Sequence, residues 1–318
     1  QNVMGGTLQP AGLVKQGPGS VLLSGNNTFN GGFTLAAGAA LVQTSANALG
    51  AAATAGSLVS AGGTSDTLTL SVVGNWAPGM FLYKAGTAMG VPILSVSGTA
   101  ITTASSIALS AGSTAYMAGA PITLNGGTLM SGASAVTLTL PVVVGSQAGT
   151  ISLGGPVAAN NITLAGPMYL GGASLGFSGT QNIEVASPLA TATVSGSLIG
   201  GAAAALSKTG AGTLALSNAN NWLPGGVNVL GGILQLGTAS ALNGGGILRI
   251  AGGALDNSVA NLTLSTNNAQ IWAGPVGYVG SNSLNLGTGT ITLAGSSTVS
   301  TLSGTLTLGG TIGDGGLA

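Results

Sequence analysis

Along most of this chain Leu, Ile and Val alternate with Thr and Ser in short runs. Examples are SVLLS at 20–24, TLTLSVV at 67–73, VTLTLPVVV at 136–144, GTLALS at 212–217, GILQLG at 232–237, NLTLST at 261–266 and GTLTLGGTI at 304–312. A period of two puts one set of side chains on a buried face and the other on an open one, so each run predicts a half-buried strand. Gly-Gly, Asn-Gly and Asn-Asn pairs separate the runs, where the chain must turn and positive φ is often required. No stretch combines sustained helical periodicity with a cap at its start. Residues 36–50 are Ala-rich, but their Gly, Ser and Thr content reads as strands and turns. The pattern predicts an all-β chain.

Two all-β architectures compete. Sandwiches and barrels close long-range hairpins around one core, usually with aromatic fillers. A parallel β-helix, or β-solenoid, stacks short strands so that each coil touches only its neighbours. Small core residues, recurrent Asn and 59 Gly in 318 residues favour the solenoid. A membrane barrel is disfavoured, because such barrels carry aromatic girdles and strands of about ten residues, and Trp, Tyr and Phe number only 3, 4 and 4 here. Residues 64–118 depart from the pattern, with Trp76, Pro78, Phe81, Tyr83, Pro92 and Tyr116 close together. They predict a small antiparallel β module inserted between solenoid coils at 1–63 and 119–318.

Composition narrows the chemistry. Charged residues are 3% of the chain, against roughly 25% in ordinary soluble domains. Lys15, Lys84, Lys208 and Arg249 are scattered, which excludes the clustered positive charge that nucleic acid requires. Asp66, Glu184, Asp256 and Asp314 lie far apart in sequence, and His and Cys are absent. That leaves no paired acids, no His-based nucleophile and no ordinary zinc site. G-A-G at 210–212 lacks the strand–helix unit of a dinucleotide loop. The expectation is no catalytic, metal or cofactor site, hence a non-enzymatic chain. No window of 18 continuous apolar residues exists, so no transmembrane helix is predicted. No basic-then-apolar leader is present, and any signal peptide is expected to have been removed.

One phrase recurs. Residues 13–29 read LVKQGPGSVLLSGNNTF and residues 206–222 read LSKTGAGTLALSNANNW, with Lys15 and Lys208 at the same point. A Gly pair follows each copy (Gly31-Gly32 and Gly225-Gly226), and then a small-residue close, SANALG at 45–50 and TASALN at 238–243. This pattern resembles the passenger-associated repeat of bacterial autotransporters, K-x-G-x-G-T-L-x-L-S-G-x-N-x-Y-x-G-G-T followed by G-x-L-x-L-G-x-x-x-A-L-G. The resemblance implies a right-handed parallel β-helix, exported to the extracellular side or the bacterial cell surface, with the repeat aiding passage through the outer membrane. Phe29 and Trp222 stand where Tyr is usual, and the family's membrane barrel is not among these residues.

With coils of roughly 20–25 residues, the offset of 193 between Lys15 and Lys208 fits a whole number of coils plus any insertions, and the phrase is expected to return to the same corner. The two lysines are then read as projecting outward from a turn, adding solvation and discouraging lateral edge pairing, or as repeated lateral contacts. Asn doublets at 26–27, 160–161, 220–221 and 267–268 read as αL corners stacked in ladders, or as sugar contacts. Trp76, Trp222 and Trp272 suit sugar stacking or intersubunit anchoring, and suit core or corner packing equally. The closing GGTIGDGGLA leads, in the family, straight into the K-x-G-x-G phrase. The expectation is therefore either that these residues are a piece of a longer array, or that open ends dock between copies, with Gln1 and Leu317 at the contact. These readings converge on a structural subunit of an extracellular fibre or surface layer whose partner is a copy of itself, head to tail or side by side. The alternative is an adhesin-type passenger whose 64–118 module binds host, matrix or surface polysaccharide.

Overall fold

The structure, a computed structural model, describes residues 11–29, 31–43, 45, 48–50, 121–146, 148–157, 160–171, 178–201 and 203–316. It also gives the strands at Asn2–Met4 and Thr7–Gln9 and six strands between 54 and 118. Among the described residues there is no α-helix. The chain winds as a parallel β-solenoid with three faces.

The first face is a sheet of six strands running from Leu13–Lys15 to Leu198–Gly200. The second has eleven, from Ser20–Leu23 to Ile312–Gly313. The third has eight, from Val136–Leu138 to Val299–Thr301. Trp222 continues the first face through a single bridge to Ile199. Three short strands, beginning at Leu262–Thr263, then occupy that part of the coil. With eleven strands about 4.8 Å apart, the second face is roughly 50 Å long.

Alternation produces the core. On the third face Leu138, Leu164, Val194, Leu216 and Leu236 stand in register and point inward. All five have no exposed surface. Each such side chain contributes about 1.5–3 kcal/mol on burial. Thr137, Thr163 and Thr193 each immediately precede one of these inward residues and stack in register one coil apart.

Coil length is uneven. The first-face register steps Ile122↔Val142, Val142↔Met168 and Met168↔Leu198 give coils of 20, 26 and 30 residues. After residue 206 the second face settles to 21 or 22, as in Leu206↔Val227↔Leu248↔Gln270↔Ile291. This unevenness overturns the expected return of the phrase to one corner. Lys15 lies on the first face and Lys208 on the second, so the second copy is displaced by one face.

Between Val42 and Ile122 the solenoid is interrupted, yet Phe33 pairs directly with Ile122 and Ala39 with Thr128. The interruption holds a six-stranded antiparallel sheet. Five of its strands fall at 63–118, and the sixth, Thr54–Ser57, precedes residue 64 and pairs with Thr114–Ala118.

Candidate functional site

The recurring phrase builds a corner. Lys208 shares the strand parity of Leu206, so its side chain points inward, in register between Ile183 and Val229. Its stem fills a core position, and the residue has no exposed surface. The ammonium emerges where the strand ends. There it donates to the carbonyls of Thr209 at 2.7 Å, Gly210 at 2.9 Å and, one coil on, Gly231 at 3.0 Å. Lys15 repeats the arrangement on another face. It donates to Gln16 O at 2.7 Å, Gly17 O at 2.7 Å and Ala37 O at 3.2 Å, while pairing in register with Leu35. The lysines therefore do not project outward; that expectation is corrected for both. Thr209 O also accepts from Val185 N at 3.1 Å, and the cation satisfies the remaining carbonyls of the sharp turn.

Glycine makes the close approach possible. Gly38 and Gly232 have φ of 75° and 62°. A Cβ at Gly232 would stand 2.3 Å from Gly210 O and 2.7 Å from Lys208 Nζ; at Gly38 the matching distances, to Gly17 O and Lys15 Nζ, are 2.4 and 2.7 Å. Burial pulls the Lys208 ammonium down to about 8, and the nearby Glu184 carboxylate acts in the opposite direction. Glu184 also accepts a short hydrogen bond from the Ser152 hydroxyl on the preceding coil.

The asparagines clamp neighbouring coils. Asn221 accepts from Leu198 N at 2.9 Å and donates to Ala241 O at 2.9 Å, joining the coils before and after its own. Asn27 donates to Ala48 O at 2.6 Å, the equivalent contact in the first copy. Asn160 reaches Ser131 O and Gly132 O, and Asn268 reaches Leu242 O and Gly246 O. Of the doublets, only Asn267 takes the left-handed conformation, with φ of 46°. The expected αL ladders are corrected accordingly: these amides bond to the backbone of the preceding coil, the next coil or both, rather than stacking on one another.

The other candidates separate. Trp272 is buried, with Nε1 donating to Gln270 Oε1 at 3.1 Å, so it is a core residue. Trp222 is 51% exposed. It ends an outward row on the first face, Val143–Tyr169–Ile199, whose three members are buried. Burial pushes the Tyr169 phenol up to about 12. Gln1, Trp76 and Leu317 lie outside the described residues.

Glu184 and Asp256 do not converge. Glu184 is on the second face and Asp256 on the third. Asp256 is held by Gln235 Nε2, Ser281 N and Ser281 Oγ at 2.8–3.0 Å, a closed structural network. Among the described residues no three acids gather as metal ligands. A groove of about 410 Å³ crosses three coils of the second face, lined in part by Thr128, Met130, Ser152, Pro156 and Ser187.

Sequence comparison bears on the same two corners. Residues 13–39 and 206–236 match the family model of the passenger-associated-transport-repeat. No curated protein matches the chain. Among solved structures, the tailspike protein gp49 from Pseudomonas phage LKA1 aligns over 93% of this chain and 70% of its own, at 14% identity and a TM-score of 0.22. That likeness is too distant to bear on topology. The first matched stretch runs from the strand of Lys15 past Gly38, and the second from the strand of Lys208 past Gly232. The chain is thus a parallel β-solenoid in which two stretches match the passenger-associated-transport-repeat, each containing a lysine-capped corner.

Proposed function

We propose that the chain is a non-enzymatic structural protein of the bacterial exterior that associates with copies of itself. The observation that carries this reading is the fate of the repeat lysines. Both ammoniums are spent on backbone carbonyls within the solenoid. The faces carry Thr, Ser, Ala and Gly with scattered exposed Leu, Ile and Val and little accessible charge, so parallel rods can pack without burying unpaired ions. Dispersed acids and their closed hydrogen bonding support the absence of catalysis. The passenger-associated repeat supports an exported, surface-exposed location. Negative-stain electron microscopy of the purified chain, with no partner added, tests the proposal. Continuous fibres or ordered bundles are expected; isolated rods of roughly 50 Å would rule out autonomous assembly.

A second reading is adhesion through the antiparallel sheet at 54–118. The direct pairing of Phe33 with Ile122 favours it, since the solenoid continues without the module. Replacing residues 51–119 by a short linker should leave the rod intact and abolish binding to matrix or surface polysaccharide. Binding that survives the deletion would remove this reading.

A further inference from the structure

We infer that Asn243–Gly244 is a site of spontaneous covalent change, where the chain converts its own asparagine to aspartate or isoaspartate. The backbone N–H of Gly244 donates to Oδ1 of Asn243, its own neighbour, at 2.9 Å. That contact holds the Gly244 nitrogen beside the Asn243 side-chain amide, whose carbon it attacks on losing its proton. Asn243 is exposed and admits water. Gly244 has no side chain to block the approach and sits at φ of 118°. Asn268 donates to Leu242 O at 3.0 Å and Gly246 O at 2.7 Å, gripping the turn on both sides of the reactive pair.

The step balances with water as the only co-reactant. The Gly244 nitrogen, giving up its proton, bonds to Cγ of Asn243; the Cγ–Nδ2 bond breaks and ammonia leaves, closing a succinimide. Water then opens the ring at either carbonyl. Cleavage at Cγ yields aspartate, and cleavage at the backbone carbonyl yields isoaspartate, with the chain running through the side chain. Either product adds one carboxylate to a chain whose four basic and four acidic residues balance. Isoaspartate also lengthens the backbone and turns the Asn243 carbonyl, which accepts from Leu223 N at 2.8 Å, into part of a free carboxylate. The space is tight there, since a Cβ on Gly244 would lie 2.6 Å from Leu223 N. The product therefore loosens the contact between the coil of Leu223 and the next.

The sequence supplies its own control. Leu124-Asn125-Gly126-Gly127 repeats Leu242-Asn243-Gly244-Gly245 residue for residue. In the first, the Asn125 side chain lies over Gly145 of the following coil. The test is peptide mapping by mass spectrometry of the intact native chain during incubation in mildly alkaline buffer, with a parallel sample in denaturant. In denaturant the two asparagines should convert at equal rates. In the folded chain Asn243 should convert on the order of tenfold faster than Asn125. Equal rates in the folded chain, a faster Asn125, or an Asn243 that stays amidated while the denatured sample reacts would each overturn the inference.

Discussion

The ammonium of Lys208 donates to the carbonyl of Gly231 at 3.0 Å, across 23 residues and one full coil. A side chain that also binds the two carbonyls following it thereby ties its own turn to the next layer. Lys15 does the same toward Ala37, with its ammonium nearer to solvent. Replacement by Met keeps the buried stem and deletes the bonds. Lys208→Met should cost about 2–3 kcal/mol, the penalty of carbonyls left without donors in a partly buried corner. Lys15→Met should cost less than about 1 kcal/mol, since water can reach its exposed acceptors. Denaturant unfolding of the two variants measures the difference; equal losses would contradict a burial-dependent staple.

Lys208 also predicts a pH dependence. Its folded value of about 8 lies below the ordinary 10.5, because burial disfavours the ammonium more than Glu184 restores it. Below pH 8 both folded and unfolded chains hold the proton, and the cost of the buried charge is fully present. Between about 8 and 10.5 the unfolded chain binds a proton that the folded chain has released, so stability rises with pH across that window. The slope is at most about 1.4 kcal/mol per pH unit, one proton's worth. The difference in unfolding free energy between wild type and Lys208→Met isolates this group from the tyrosines and other lysines. It should grow between pH 8 and 10. A flat or shrinking difference would mean that the carbonyl cage holds the ammonium against its burial.

Much of this was legible in the alternation of residues. Lys15 and Lys208 have the parity of Leu13 and Leu206, and Leu206 faces the core, so an inward stem could have been read directly. The Gly-rich pair one coil later, Gly231-Gly232, was the second signal, because only there does the next turn approach the ammonium closely. What the sequence withholds is the acceptor. A lysine beside glycines looks solvated until the following coil supplies a carbonyl. The face was equally hidden, since coils of 20, 26 and 30 residues precede the second copy and an offset of 193 fixes no phase. The Asn doublets were legible as corners, but not which coil each amide would grip.

Asn221 should prove more costly to lose than either lysine. Its amide satisfies Leu198 N behind and Ala241 O ahead, and the residue is 1% exposed. Asn221→Ala strands a buried donor and a buried acceptor together, for about 3–4 kcal/mol. Asn27→Ala loses the single part-buried bond to Ala48 O and should cost about 1 kcal/mol. Thermal unfolding of the two variants distinguishes a bridge across three coils from a local turn contact. A mild Asn221→Ala phenotype would show that water replaces the amide at this corner.

Glycine at the receiving end gives the sharpest steric test. Gly232→Ala forces a left-handed conformation on a residue with a Cβ, which costs about 1–2 kcal/mol by itself. It also drives that Cβ to within 2.3 Å of Gly210 O and 2.4 Å of Gly212 O, backbone atoms of the preceding coil that cannot swing aside. Gly245 has a similar φ of 76° with nothing near its missing Cβ, so Gly245→Ala carries the conformational cost alone. Limited proteolysis and unfolding should find Gly245→Ala folded and slightly weakened, with Gly232→Ala opened between residues 210 and 232. If the two behave alike, the corner yields to a methyl group, and the close stacking of the lysine cage is not what holds these coils together.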